Sequence, residues 1–206
     1  MTVTAVTPQK RRPGRSSVFV DGEFVFGMSN EDLTRLSLSP GAEVTREQLN
    51  KWLAQVVLVN ARDAALRYLN VRPRTFREVE KRLKQEAYPP KVIARVMMLM
   101  EKYRYIDDAQ YARDYAEERL RPGQYGPRRV KRELILKGID EKTAEEAVHE
   151  FSPDRKQVTS AREYLRQKHA EPGEMDAARR KRVTDAMLRR GFSFNIIKEA
   201  LTEAEE

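Results

Sequence analysis

Basic side chains are the residues that could do chemistry in this sequence. Arginine and lysine form three clusters, and each cluster lies in or beside a predicted helix that precedes a small residue. Such side chains can neutralise the phosphates of DNA or pair with an acidic protein surface, and the pattern fits both. A single cluster is more typical of a solvated helix face, but with the recurrence in three copies a continuous basic stripe stands equal to that interpretation. The candidate binding residues are Arg72, Arg74, Arg77, Arg128, Arg129, Lys131, Arg132, Lys137, Arg179, Arg180, Arg182, Arg189 and Arg190.

Residue types that serve catalysis or metal binding are sparse. The chain has no cysteine, and neither His149 nor His169 lies at a metal-ligand or acid-base spacing. Asp107 and Asp108 precede a periodic helix, which favours an N-terminal cap over a pair of Mg²⁺ ligands. The segment Gly123–Gly126 follows a helix and lacks the lysine of a phosphate-binding loop. We therefore expect no enzyme activity, no metal site and no cofactor.

The elements that must position the basic clusters recur three times along the chain. A pattern of apolar and small residues repeats with the same internal spacing, and its copies are separated by 51 and 53 residues. Each copy predicts a helix with an apolar i, i+4 stripe, a tight turn at a small residue and a second helix. The predicted turn residues are Ala87, Gly138 and Gly191.

The repeats predict a mostly α-helical protein with three tandem three-helix repeats, each resembling a helix-turn-helix, in an elongated array. Two β-rich runs joined by Asp21-Gly22 predict a short N-terminal β-hairpin before them. The first residues are basic and lack periodicity, which predicts a disordered arm. The predicted domains are the basic arm at 1–16, a hairpin and helical region at 17–60, and repeats at 61–106, 107–151 and 152–206.

Composition narrows the class of partner. The formal net charge is +8 and the isoelectric point is about 9.7, which points to an anionic partner. No apolar run approaches the length that crosses a bilayer, and the first residues lack the apolar run of a secretory signal. We expect a cytoplasmic protein without a membrane partner and, because no heptad seam is present, a monomer.

Three motifs in order resemble the RecX family. They are Tyr68–Thr75 with Glu78 and Leu83, Tyr105–Asp108 with Tyr111 and Ala112, and Gly126–Arg129 continuing through Leu134 to Ile139. The resemblance covers about residues 18 to 201. It implies three tandem three-helix repeats and a regulator of the RecA recombinase that binds in the groove of the RecA–DNA filament. Members typically block filament extension, ATP hydrolysis and strand exchange.

The resemblance also implies partners. These are the RecA filament and, weakly and without sequence preference, single- and double-stranded DNA. A stand-alone DNA-binding regulator that reads the major groove is the alternative. The acidic helix predicted at residues 141–147 disfavours it, because phosphates would repel that helix.

Overall fold

The computed structural model of the protein describes residues 1–10, 12–170, 173 and 175–202, apart from the side chains of residues 154 and 155. Arg11 of the predicted arm lies outside the described residues. The chain divides into two compact units, an N-terminal unit at residues 1–107 and a C-terminal unit at residues 108–206.

A three-stranded antiparallel sheet opens the N-terminal unit. Its strands are β1 (Val3–Pro8), β2 (Arg15–Val20) and β3 (Glu23–Ser29), in the order β1-β2-β3. The predicted hairpin is confirmed as β2 and β3. Asp21 and Gly22 form its turn with φ angles of 50° and 87°, the left-handed conformation that a tight hairpin turn requires.

The prediction of a disordered arm at residues 1–16 is wrong. Residues 3–8 form β1 and pair with β2, and the Val3 side chain is fully buried. Arg15 is the first residue of β2. A two-stranded hairpin is marginally stable alone, and a third strand with β-branched residues completes a sheet with a buried face. Of the residues that suggested disorder, Pro8 ends β1 and Arg15 begins β2, while Lys10, Arg12 and Pro13 lie between the two strands.

Short helices complete the N-terminal unit. Thr45 and Thr75 cap two of them through capping boxes with Gln48 and Glu78, as the Thr-x-x-Gln and Thr-x-x-Glu patterns predict. The helices are α1 (Asn30–Arg35), α2 (Arg46–Trp52), α3 (Leu58–Leu69), α4 (Phe76–Gln85) and α5 (Pro90–Lys102), with a π-helical segment at Leu53–Val57 between α2 and α3.

The C-terminal unit consists of helices and their connections, with no strand in its described residues. The side chains of Val130 and Leu134 are fully buried in one apolar cluster, and those of Met187 and Phe192 are buried in a second. The helices are α6 (Asp108–Arg119), α7 (Pro127–Leu136), α8 (Glu141–Phe151), α9 (Asp154–Gln167), α10 (Ala177–Arg189) and α11 (Phe194–Leu201).

The predicted tight turn is present in each of the three repeats. Ala87, Gly138 and Gly191 follow α4, α7 and α10, with φ angles of 56°, 97° and 94°. This left-handed conformation reverses the chain so that the next helix packs on the same apolar stripe. Alanine pays a steric cost there that glycine avoids. The mostly helical fold with three tandem three-helix repeats is confirmed.

The described residues contain neither a membrane-spanning helix nor a cluster of metal-binding side chains. None of their helices is long and apolar enough to cross a membrane. Within the same ranges, no group of three or more histidine, cysteine, aspartate or glutamate side chains could hold a metal ion.

Candidate binding groove

Four of the predicted arginines line one groove in the C-terminal unit. Arg128, Arg129 and Arg132 project from α7, and Arg189 ends α10. The groove has a volume of about 810 Å³. We call it the arginine groove. Its lining is completed by Glu133, Leu136, Leu188, Gly191 and Phe192.

Two glycines bring the walls of the arginine groove together. The Gly126 amide donates a hydrogen bond to the Arg190 carbonyl at 2.8 Å, and the Arg128 amide donates to the Gly191 carbonyl at 3.2 Å. A Cβ atom added to Gly126 would lie 2.3 Å from the Gly191 carbonyl carbon, closer than real contacts allow. The start of α7 therefore lies directly on the turn after α10, and only glycine permits that approach.

Two arginines beside this junction hold the structure together. The Arg129 guanidinium donates to a Glu133 carboxylate oxygen at 2.9 Å and stacks over Tyr125 at 4.4 Å from the ring centroid. The Arg190 guanidinium lies 4.9 Å from the Tyr164 ring centroid and donates to the Gln124 carbonyl at 2.8 Å. Cation–π contacts and charge-assisted hydrogen bonds of this kind fix both side chains within the unit.

The guanidinium groups of three other arginines at the groove have no partner among the described residues, and we call these arginines free. Arg128, Arg132 and Arg189 are exposed, and their guanidinium groups form no ion pair or hydrogen bond with any described residue. Arg128 and Arg132 are one helical turn apart on α7, so they lie on one face. Of the predicted residues in the C-terminal unit, these three have the exposed guanidinium groups without a partner among the described residues.

Apolar side chains lie beside the free arginines. Leu136 is 74% exposed and Leu188 is 40% exposed, and both line the groove. Neither residue was predicted as part of a binding site. The signal in the sequence was the run Ile135-Leu136, which falls outside the buried Val130 and Leu134 stripe. A surface that combines guanidinium groups with exposed leucine suits a protein partner better than it suits bare phosphates.

Comparison with known families identifies the chain. Three family models, described as the first, second and third three-helix domains of RecX, match residues 61–97, 107–148 and 156–201. A fourth, described as the N-terminal domain of the regulatory protein RecX, matches residues 1–45. The chain belongs to the RecX family.

Curated RecX relatives resemble the chain over different lengths. The regulatory protein RecX of Bacillus subtilis (strain 168) is 28% identical over 98% of this chain and 77% of that protein. The regulatory protein RecX of Lactobacillus delbrueckii subsp. bulgaricus is 34% identical over 74% of this chain. That match spans little more than half of the relative, 56% of its length.

Two solved RecX structures share the fold. A crystal structure of RecX from Lactobacillus salivarius aligns with a TM-score of 0.62 and 26% identity, over 70% of this chain and 94% of that one. A second crystal structure, of a regulatory protein RecX, covers 98% of this chain and 99% of that one with a TM-score of 0.66. At 24% identity, that second likeness concerns the fold alone.

Elsewhere in the C-terminal unit of this RecX-family chain, predicted basic residues contact its own atoms. Lys131 pairs with Glu141 and Glu145 at 3.0 Å each, and these hydrogen bonds raise the pKa of Lys131. The Lys137 ammonium lies over Tyr111 and Tyr115, 5.7 and 5.3 Å from their ring centroids. Both lysines therefore already have intramolecular partners.

The first half of α10 carries three further predicted arginines outside the arginine groove. The Arg179 guanidinium donates to the His169 carbonyl at 2.6 Å, Arg180 to the Leu201 carbonyl at 3.5 Å and Arg182 to the Ala178 carbonyl at 3.4 Å. All three side chains are exposed. The structure thus does not bring them to the groove that Arg189 lines.

In the N-terminal unit of this RecX-family chain, arginines held by a tyrosine and a glutamate also lie just before α4, and an exposed arginine lies within it. Arg74 is largely buried, with its guanidinium 4.2 Å from the Tyr68 ring centroid and 3.8 Å from Glu78. Arg72 lies 3.5 Å from the same carboxylate. Arg77 is exposed and occupies the position in α4 that Arg128 occupies in α7. Of these three predicted residues, Arg77 is the most available to a partner.

Glu133, which lines the arginine groove, accepts a hydrogen bond from a half-buried tyrosine. The Tyr115 hydroxyl donates to Glu133 at 2.8 Å. Burial and this hydrogen bond raise the pKa of Tyr115 to about 12. Burial opposes ionisation of Glu133, but the hydrogen bonds from Arg129 and Tyr115 outweigh it and lower the Glu133 pKa. Glu133 is therefore a carboxylate that fixes Arg129 and Tyr115 together.

The Tyr115–Glu133 contact predicts a stability change in alkali. Because folding raises the Tyr115 pKa, its contribution is complete below about pH 10 and is lost as the pH rises towards 12. We expect the free energy of unfolding of Tyr115→Phe to fall less steeply over that range than that of the wild type, by urea unfolding followed by circular dichroism. Glu133→Gln should lower the Tyr115 pKa in an ultraviolet titration. An unchanged pKa would contradict the assignment.

Proposed function

We propose that this RecX-family protein inhibits the RecA recombinase by binding in the groove of the RecA–DNA filament, where it blocks filament extension, ATP hydrolysis and strand exchange. The observation that carries the proposal is the arginine groove, with free Arg128, Arg132 and Arg189 beside exposed Leu136 and Leu188 in a chain of this family. We further propose that the protein acts in the cytoplasm as a monomer, without an enzymatic step of its own.

The chemistry of the groove suits a nucleoprotein filament. Such a filament presents carboxylates and apolar side chains of its subunits close to DNA phosphates. Arginine binds carboxylate and phosphate alike through a planar fork of donors, and exposed leucine adds apolar contact. A protein held across successive subunits opposes their rearrangement, so inhibition requires binding energy and no catalytic residue.

Rigidity of the groove supports its use as a binding surface. The main-chain bonds at Gly126 and Gly191 hold the two walls, and Arg129, Glu133 and Tyr115 lock the face of α7 behind them. The free arginines therefore start from fixed helices, and less conformational entropy is lost when they bind. Flexible lysines on a solvated face would lack this advantage.

A stand-alone DNA reader fits the C-terminal unit less well. In a helix-turn-helix that reads DNA, the second helix of the pair enters the major groove. The corresponding helix is α8, whose exposed Glu141, Glu145 and Glu146 are acidic. Lys131 forms ion pairs with Glu141 and Glu145, so its positive charge is already used within the protein. Phosphates would be repelled from this face.

The single-stranded-DNA-dependent ATPase of RecA tests the proposal. The protein is titrated into the reaction while its binding to the same DNA without RecA is followed in parallel. We expect suppression of ATP hydrolysis at concentrations that leave bare DNA unoccupied, because the filament itself is the target. Suppression only once bare DNA is saturated would favour competition for DNA, and no suppression at a saturating concentration would refute the proposal.

A further inference from the structure

A second groove lies in the N-terminal unit, and the proposed function makes no use of it. The groove has a volume of about 540 Å³ and lies open between β3, the π-helical segment and the start of α5. That volume is within the range of sites that hold small ligands or a few side chains. We call it the apolar groove. It is lined by Val25, Asn50, Leu53, Ala54, Leu58, Pro89, Pro90, Lys91, Val92 and Arg95.

The π-helical segment forms one wall of the apolar groove. The Leu58 amide donates to the Leu53 carbonyl, five residues earlier, so this turn holds one residue more than an α-helical turn. Leu53 and Leu58 remain half-buried and Ala54 is exposed. Single π-turns are uncommon and occur frequently at functional sites. Here the wider turn leaves two leucines without full cover.

Two prolines form the opposite wall. Pro89 caps α5 and Pro90 is its first residue. Proline has no amide hydrogen, so this wall offers ring carbons and no main-chain donor at either position. The Val92 side chain, in the first turn of the helix, continues the apolar surface. The floor and both walls therefore suit a bulky apolar side chain.

The rim of the apolar groove is positive. Lys91 and Arg95 are one turn apart on α5, are exposed, and are the only charged residues among those that line the groove. Neither forms an ion pair with a residue in the described part of the chain. The rim therefore attracts anions, and the groove offers no carboxylate to oppose them.

We propose that the apolar groove binds an acidic segment of a partner protein that carries a bulky apolar side chain. The apolar side chain lies against Leu53, Leu58 and Pro90, and flanking carboxylates pair with Lys91 and Arg95. Duplex nucleic acid fits this surface poorly, because its bases are stacked inside and its phosphate backbone has nothing to fill the apolar floor. Charge on the rim alone would not require such a floor, so the two features together select this class of partner.

Fluorescence anisotropy with the whole chain tests this site. The probe is a short fluorescein-labelled peptide of aspartate and glutamate with one phenylalanine and one leucine. We expect saturable binding that weakens about fivefold in Arg95→Glu, because the new carboxylate repels the acidic peptide. The loss is limited to about fivefold because the charge is exposed and salt screens it. Ala54→Trp fills the groove and should abolish binding. The matched control is Lys102→Glu, an equal charge change two turns further along α5.

Each outcome decides the proposal. Support requires loss in Arg95→Glu and Ala54→Trp, retention in Lys102→Glu, and failure of a peptide in which serine replaces phenylalanine and leucine. Equal binding by Arg95→Glu and the wild type, or equal binding of the serine peptide, would overturn it. Absence of saturable binding would also overturn it. A dimer of the free protein that Ala54→Trp dissociates would assign the groove to a second copy instead.

The peptide assay contains no RecA. Its failure is therefore independent of the ATPase result that tests the proposed function. Should Ala54→Trp lose its helical circular dichroism, Arg95→Glu and the serine peptide still decide the question.

Discussion

Reversing the charges of Arg128, Arg132 and Arg189 together is expected to raise the concentration for half-inhibition of the RecA ATPase by at least about tenfold. Exposed charge pairs contribute roughly 0.2 to 1 kcal/mol each, and charge reversal adds repulsion to each lost attraction, so the three changes together reach the ~1.4 kcal/mol that corresponds to tenfold. These guanidinium groups pair with no described residue, so the triple glutamate variant should keep its circular dichroism spectrum. The measurement is an ATPase titration with the variant and the wild type side by side.

A control with the same change in net charge separates local binding from long-range attraction. Lys142, Arg162 and Lys198 are exposed and do not line the arginine groove. Their triple glutamate variant should inhibit with less than about a twofold change, because distant surface charges are screened by salt. Equal losses in the two variants would show that overall charge, and not the arginine groove, determines inhibition.

Arg129 is left out of the triple variant for a structural reason. It neighbours Arg128 in sequence, yet its guanidinium is committed to Glu133 and Tyr125. Its removal would leave a half-buried carboxylate without its main partner and would lower stability. A lost inhibition would then have two causes. Arg128, Arg132 and Arg189 avoid this ambiguity.

Gly191→Ala is expected to lower the stability of the protein strongly, and by more than Gly41→Ala does. Its φ angle is +94°, and an added Cβ would lie 2.4 Å from the Arg129 amide nitrogen and 2.5 Å from the Arg129 Cβ. The left-handed conformation costs alanine about 1 to 2 kcal/mol, and overpacking against main chain adds roughly 1 to 3 kcal/mol. We expect the free energy of unfolding to fall by about 2 to 5 kcal/mol, measured by urea unfolding followed by circular dichroism.

Gly41→Ala is the matched control for that substitution. Gly41 has a φ angle of +89°, and no atom lies within 4 Å of the Cβ it would gain. It therefore pays the conformational cost alone, about 1 to 2 kcal/mol. Equal losses in the free energy of unfolding for Gly41→Ala and Gly191→Ala would mean that the contact between the turn at Gly191 and the start of α7 adjusts to the added Cβ at no energetic cost. The larger loss at Gly191 would instead measure the close approach that shapes the arginine groove.

Local patterns in the sequence determined most of the helical architecture. The spacing of Val130 and Leu134 on one stripe, followed by Gly138, predicts a helix and its turn without knowledge of the rest of the chain. The Asp21-Gly22 pair predicts the hairpin for the same reason. In each case the conformation depends on neighbours within a few residues, through hydrogen bonds, side-chain spacing and the backbone freedom of a turn residue.

Long-range contacts decided what the local patterns could not. The strand β1 is ordered by pairing with β2 and by main-chain hydrogen bonds between Val3 and residues 41 and 42. These partners are distant along the chain, and the local sequence, with its proline and basic residues, suggested disorder instead. The π-helical turn at Leu53–Val57 has no local signal that distinguishes it from an α-helix.

The same limit applies to the binding residues. The sequence by itself determined that basic residues gather on helices before the turns, because composition and helical period are local properties. Only the tertiary structure decided that Arg128 is free and Arg129 is not. Adjacent helical residues point about 100° apart, and their partners are set by elements distant in sequence. The arginine groove itself depends on Gly126 contacting Gly191, and no pattern within either repeat specifies that approach.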